Sequence, residues 1–296
     1  MKVRAENLGE RVERSLDLTG ARRSRWRLWG DRLAIAFGLV CTAMVLLPLV
    51  AVAGYAMYRG WASWRWSAFV QLPPAAGASG GGIGNAIVGT VVMVAMATAF
   101  SAPLALLAGL GAVEFGSAIA ARWLGLAANV LAGVPSILAG IFAYGTIVRP
   151  MKTYSAVAGS VALAIVMVPT IAIATLTALQ SVAPSLRQGA AALGARPTQS
   201  ALRVVLPAAL PAIFTGVMLA IARAIGETAP LLFAALFSFY WPRGIAQPAP
   251  SLAVLIYNFA TSPFAAQQDL AWMAVTVLIG MVTVANLVVA SVSRRN

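Results

Sequence analysis

The sequence predicts an all-α integral membrane protein with six transmembrane helices, and three observations carry that expectation. The residues are 60% hydrophobic and 10% charged, against roughly 45–50% and about 25% in ordinary globular domains, so the solvent for most of the chain is lipid. Apolar runs of about 20 residues, the hydrocarbon thickness divided by the helical rise, recur along the whole length. The basic residues are also lopsided. Of 21 Lys and Arg, fifteen fall in segments that six crossings place on the same side as the termini and five fall in the opposite loops. That is the positive-inside bias, and it puts both ends in the cytoplasm, with Arg59 and Arg65 outside the first span as the mild objection.

The net charge of +13 suggests a nucleic-acid ligand only until its distribution is seen. Nine basic residues lie in the first 32 and lead directly into the first apolar run, so they belong to the topology signal. Residues 1–31, alternating Glu and Arg, are expected to form a basic cytoplasmic tail, and residues 32–296 the six-span domain. The first span runs from Leu33 to Tyr58. Ala51-Val52-Ala53 has the small-x-small form of a cleavage site, but the 32-residue leader and an apolar run beyond the usual ~7–15 residues favour a retained helix. Arg22-Arg23 in so arginine-rich a stretch carries no export signal. Cys41, the single cysteine, falls in this span and is assigned to packing; no intrachain disulfide is possible. There is no histidine, which removes the commonest metal ligand and proton shuttle, and no metal or cofactor is expected.

The outer loop from Arg59 to Gly84 opens on Trp61, Trp64 and Trp66, an interfacial aromatic belt, and closes on a run of glycines. No strand precedes that run and it does not fit G-x-G-x-x-G, so it reads as a flexible linker rather than a phosphate cradle. The remaining spans are expected at Asn85–Val113, Leu124–Val148, Ser155–Leu179, Ala208–Leu236 and Leu270–Val292. Prolines 48, 103, 135, 169 and 230 lie inside spans, where only neighbours or a wet cavity can satisfy the carbonyls they free, so the helices pack as a bundle. Gly216, Ala220 and Ala224 form a small-xxx-small stripe suited to close helix approach.

One polar hairpin, Pro184 to Pro207, separates the fourth and fifth spans. Leu186, Ala190 and Leu193 form a short apolar stripe, Gly194 stands where a helix would end in a left-handed turn, and Pro197 suits the first turn of a second short helix carrying Ala201, Leu202 and Val205 on one face. Two stub helices around a glycine turn fit a docking handle for a soluble partner or a connecting loop. In the span that follows, Arg223 and Glu227 stand one helical turn apart at membrane depth. Each costs roughly 2.5–3.5 kcal/mol at a helix centre. Their mutual attraction, about 4 kcal/mol at 4 Å with an effective dielectric of 20, offsets much of that, so a structural pair and a solute pathway both remain open. As a pathway, Arg223 offers a fork of donors to an oxyanion, Glu227 tunes that grip, Thr228 adds a hydroxyl and Pro230 loosens the helix.

The chain contains no G-x-x-x-x-G-K-[ST], and its only lysines are Lys2 and Lys152, so it is not a P-loop ATPase; nucleotide energy would come from another subunit. Internal repeats and broken helices in matching halves, the usual signs of a secondary transporter, are not apparent.

Gln188-Gly189-Ala190, then Gly194, then Val204-Val205-Leu206-Pro207 resembles the EAA loop of bacterial ABC-importer permeases, E-A-A-x-x-x-G followed by I-x-L-P at the same spacing. The departures are Gln188 for glutamate, Gly189 for alanine and Val204 for isoleucine, and losing the acid puts in doubt any salt bridge the family makes there. The run from Ala222 to Phe233, ARAIGETAPLLF, resembles the A-type permease subunits of phosphate-specific ABC importers. The resemblance covers roughly residues 33–295. It implies a MetI-like permease bundle in the bacterial inner membrane, with no catalytic residues of its own. It implies four kinds of company: a homologous C-type permease subunit, a cytoplasmic ATPase dimer, an extracytoplasmic phosphate-binding protein and lipid. It further implies docking on the ATPase through Gln188, Gly189, Ala190, Leu193, Gly194 and Arg196, and phosphate as the oxyanion for the pathway read from the residues at Arg223, Glu227 and Thr228. The alternatives are another oxyanion such as sulfate, or a secondary anion transporter.

Overall fold

The computed structural model describes residues 25–293, and side chains from 30 to 291. Among the described residues every regular element is helical. Five helices are long and apolar enough to cross a membrane, and a bent pair supplies the sixth crossing when counted as one span.

The chain divides into two units, Met1–Tyr55 and Ala56–Asn296. Helix α1 (Arg25–Ala62) supplies the described part of the first. It begins within the segment expected to precede the span, and residues 1–24 lie outside the described residues. Leu33, Phe37, Met44 and Leu47 are mostly exposed, and so is Cys41, which the sequence reading had assigned to packing. A helix segment with so many large apolar side chains exposed presents a surface matched to hydrocarbon.

The second unit is built around α2 (Gly84–Leu110, continuing as a π turn through Phe115) and α5 (Ala156–Ser181), which is the most buried span. The Ser155 hydroxyl starts α5 by accepting from Ala158 N at 3.1 Å, which satisfies one of the orphan donors of a helix start. Met93, Leu163, Met167 and Ile171 fill the space between α2, α5 and α7 (Pro197–Ile225). The small-residue stripe performs as its spacing predicts: a Cβ on Gly216 would lie 2.2 Å from the Ala174 Cβ, so α5 and α7 meet at near-backbone distance there. Helix α10 (Ala265–Ser293) completes the layer with α9 (Leu252–Ala260) beside it, and the N–H of Leu252 donates to the buried Thr90 hydroxyl at 2.9 Å.

Two expected spans are broken. The third is two helices, α3 (Ala118–Ala132) and α4 (Ser136–Ala143, running on to Met151), bent by 91°. Pro135 stands at the corner: it lacks an N–H and bars the helical conformation from the residue before it. The fifth does not reach Leu236. Helix α7 ends at Ile225, and after Gly226–Thr228 a short helix α8 (Ala229–Ala234) begins with Pro230 in its first turn. In an unbroken helix Pro230 would strip the Gly226 carbonyl of its partner, so the chain breaks there instead. Pro48, Pro103 and Pro169 stay inside continuous helices. The second hairpin helix is likewise no stub, because Pro197 opens a helix that continues through a π turn at Ala201–Val205 into the fifth span.

The outer glycine run is no loose linker in its second half. Gly82 N donates to Leu72 O and Ile83 N to Ala68 O, both at 2.8 Å, and a Cβ on Gly82 or Gly84 would strike the carbonyl oxygen of Ala68 or Phe69. These glycines are there for close backbone packing beneath the Trp61, Trp64, Trp66 and Phe69 ring cluster.

Candidate functional site

Arg223 sits in the last turn of α7 and Glu227 beyond the helix end, so they face each other across the break rather than along one continuous turn. The Arg223 Nε lies 3.3 Å from Glu227 Oε1; the arginine side chain is 52% exposed and the glutamate 15%. Among the described residues Arg223 has no other hydrogen-bond acceptor, which leaves both Nη groups open. Thr228 caps α8 through its backbone, its carbonyl accepting from Leu231 N at 3.1 Å and Leu232 N at 3.2 Å, and its hydroxyl makes no cap bond.

Arg223 opens on a cavity of about 520 Å³ whose wall also includes Leu104 of α2, Pro135 and Ser136 at the corner of the bent span, Phe142 of α4 and Val166 of α5. It is the one charged residue of an otherwise mainly apolar wall. The amide-rich start of α4 adds positive potential from Ser136. The two breaks are held together by Gly140, whose Cβ, if it had one, would lie 2.7 Å from Pro230 Cα and O.

A second cavity, about 450 Å³, lies between α3 and α5 and carries Arg122, Asn129, Thr177 and Gln180. These were not singled out from sequence. Their signal was there: Arg122, Asn129 and Gln180 are polar residues inside or at the edge of apolar runs, and the helical period places Arg122 and Asn129 on one face.

On the hairpin, α6 (Pro184–Ala192) ends at Gly194 with φ +79°, and Ala195 N reaches back to Ala190 O at 3.0 Å, the left-handed closure the glycine predicted. Gln188, Gly189, Gly194 and Arg196 are exposed, and Leu193 at the tip is 91% exposed. The expected apolar stripe divides, however. Ala190 is buried against the bundle whereas Leu186 and Leu193 face out. On the second limb Ala201 and Val205 are buried and Leu202 is not, since residues four apart share a face and 202 lies off it. Arg196 N donates to Gln199 Oε1 at 2.9 Å, which secures the start of α7.

Behind the hairpin lies an ion pair that sequence reasoning missed. Arg187 Nη2 donates to Glu114 Oε1 and to Leu179 O, both at 2.8 Å, while Nη1 donates to Val182 O at 2.7 Å. Glu114, in the π turn that ends α2, has a side chain only 9% exposed, and that of Arg187 is 30% exposed. Beyond residue 31 the sequence holds three acidic residues, Glu114, Glu227 and Asp269, so both glutamates of the bundle are matched to arginines.

Residues 101–296 match the family described as binding-protein-dependent transport system inner membrane component. The chain is 34% identical over 261 residues to a phosphate transport system permease protein PstA of Yersinia pestis, covering 87% of this chain and 88% of that one. It is 38% identical over 203 residues to a probable phosphate transport system permease protein PstA of Methanocaldococcus jannaschii, covering 68% and 72% respectively. Among solved structures it is similar to an inward-facing methionine ABC transporter, with a TM-score of 0.57 at 20% identity, covering 71% of this chain and 95% of that chain. That likeness shows the fold, a MetI-like permease bundle.

Proposed function

The chain belongs to the family of binding-protein-dependent transport system inner membrane components, and from that membership we propose that it is a membrane-spanning subunit of an ATP-driven phosphate importer. The observation that carries the substrate pathway is the Arg223 guanidinium at the break of the fifth span, held by one carboxylate at 3.3 Å and otherwise open to the cavity. Planar N–H donors in a mainly apolar wall suit an oxyanion. Glu227 then sets which oxyanion passes. Hydrogen phosphate keeps a proton to donate to that carboxylate, whereas fully ionised sulfate is only repelled. Arg122, Asn129, Thr177 and Gln180 line a separate polar cavity between α3 and α5.

The subunit acts with company. A second, homologous permease subunit supplies the other wall of the pathway, a cytoplasmic ATPase dimer supplies the motion, and an extracytoplasmic binding protein delivers phosphate. The docking handle is α6 with the Leu193–Gly194 tip, where Gln188, Gly189 and Arg196 are exposed and Ala190 seats the helix on the bundle. The basic bias of the sequence supports a cytoplasmic position for that handle and for both termini.

Reconstitution of the chain with its partner subunits in liposomes tests this reading. Labelled phosphate is expected to enter only with ATP and with an intact ATPase catalytic glutamate, and excess sulfate is expected not to compete. Glu227→Gln should let sulfate compete. Uptake driven by a sodium or pH gradient in the absence of ATPase, or rejection of sulfate unchanged in Glu227→Gln, would overturn the corresponding part.

A further inference from the structure

The link between the docking helix and the bundle is short. Helix α5 ends at Ser181, and before α6 starts at Pro184 the chain passes through Val182 and Ala183, both extended (ψ 125° and 132°). A two-residue non-helical joint passes a push on α6 to α5 less directly than a continuous helix would, so a side chain that bridges it matters. Arg187 is that bridge. From the first turn of α6 it reaches back over the joint to the carbonyls of Leu179 and Val182 and sideways to Glu114 at the end of α2. The two helices it grips are those whose other residues wall the Arg223 cavity, Leu104 on α2 and Val166 on α5.

We propose that Arg187 is a positioning residue of the coupling step, clamping the docking helix to the ends of α2 and α5 through Glu114 and two backbone carbonyls so that its displacement reaches the anion cavity. The inference rests on the docking and transport reading above and adds to it the part that carries the motion. Merely structural ion pairs hold a fold together. This one bridges a joint and ties two cavity walls to one lever, so its loss is read in coupling beyond any cost to folding.

The test uses the whole reconstituted complex with Arg187→Gln, Arg187→Lys and Glu114→Gln. Arg187→Gln is expected to assemble with the ATPase and hydrolyse ATP at the wild-type rate while moving on the order of tenfold less phosphate per ATP. Arg187→Lys, which can keep the Glu114 pair but not all three acceptors, is expected to fall between, and it decides the matter if Arg187→Gln does not assemble. Wild-type phosphate per ATP in the assembled variants overturns the proposal. A second readout needs no phosphate: spin labels at Ser185→Cys and Phe115→Cys, in a Cys41→Ser background, should give one narrow distance with and without a non-hydrolysable ATP analogue. Arg187→Gln should broaden it, and a distance that stays narrow in that variant also overturns the clamp. If the distances behave as expected but the wild-type complex carries no phosphate, the clamp stands and the substrate reading falls.

Discussion

Replacing Gly140 by alanine puts one methyl group where the structure has no room for it. The new Cβ would lie 2.7 Å from both Cα and O of Pro230 and 3.1 Å from its carbonyl carbon. That is roughly 0.7 Å inside the 3.4 Å at which ordinary contact begins, and every atom met is backbone, so no rotamer can relieve it. Forced overpacking of this kind costs about 1–3 kcal/mol. At roughly 2–4 °C per kcal/mol for a chain near this size, the midpoint of thermal unfolding in detergent should drop by several degrees. Function should suffer beyond stability. Prising α4 from α8 by that distance shifts Glu227, two residues ahead of α8, against Arg223 on α7, and a 3.3 Å contact has little slack before it ceases to be a hydrogen bond. Misplacing a binding group by about an ångström can cost on the order of a hundredfold, so ATP-dependent uptake per assembled complex should fall by at least about tenfold. Gly145→Ala is the matched control, because its Cβ would meet nothing within 4 Å, and it should leave both measurements unchanged. If Gly140→Ala keeps wild-type melting and uptake, or Gly145→Ala is equally damaged, the close approach of the two breaks is not what positions the site.

Other substitutions read separate parts of the structure. Arg223→Gln keeps the volume and loses the charge; assembly and ATPase docking should persist while phosphate uptake drops by about a hundredfold, and normal uptake would remove Arg223 from the pathway. Thr90→Val deletes the acceptor of the Leu252 N–H and should cost about 1–3 kcal/mol, seen as a lowered unfolding midpoint, whereas Thr90→Ser should restore it. Sidedness is open to direct labelling in a Cys41→Ser background: a membrane-impermeant thiol reagent should reach Leu193→Cys only from the cytoplasmic face and Gly77→Cys only from the other. The reverse pattern would invert the topology drawn from the basic residues.

The spans were legible because their signal is strong and local. A run of about 20 apolar residues has few other meanings, and the Ser155 start of α5, the left-handed Gly194 and the Gly216–Ala220–Ala224 stripe each express chemistry contained in a few neighbouring residues. The breaks were not legible, because hydropathy averages over a window and does not register a backbone corner. Pro135 and Pro230 stand at corners, whereas Pro103 and Pro169 are absorbed in continuous helices, and nothing in the local sequence separates the two cases. What separates them is tertiary: Pro230 packs on Gly140, a contact ninety residues away in sequence. Arg223 and Glu227 drew attention because both sit inside one apolar run. Glu114 and Arg187 escaped because each lies at the edge of a run, where charge is ordinary, and their pairing spans 73 residues.

The two arginine–glutamate pairs show why residue types alone do not reveal which charge is free to bind. Placing an arginine or an acid in the membrane costs roughly 2.5–3.5 kcal/mol, and a hydrogen bond to a charged group returns about 1.5–3 kcal/mol. Arg187 lies at the edge of a run, where that cost is smaller, and makes three such bonds at 2.7 to 2.8 Å. Nothing is left over for a ligand, which suits a brace. Arg223 makes one, longer, at 3.3 Å, and its unfilled donors face a cavity. Its desolvation is therefore only partly compensated, and an oxyanion that fills the remaining donors supplies the difference. On the proposed pathway the carboxylate of Glu227 keeps that compensation from being complete, so a passing anion would be held against a competitor already in place and could leave. Strengthening the competitor should then slow transport as surely as removing the arginine does. A variant that brings a second carboxylate to the break, Ser136→Asp, is expected to lower uptake at subsaturating phosphate, while Ser136→Asn, of the same size and uncharged, is expected to retain it. Equal uptake by the two would show that the cavity at Ser136 and Arg223 lies off the route.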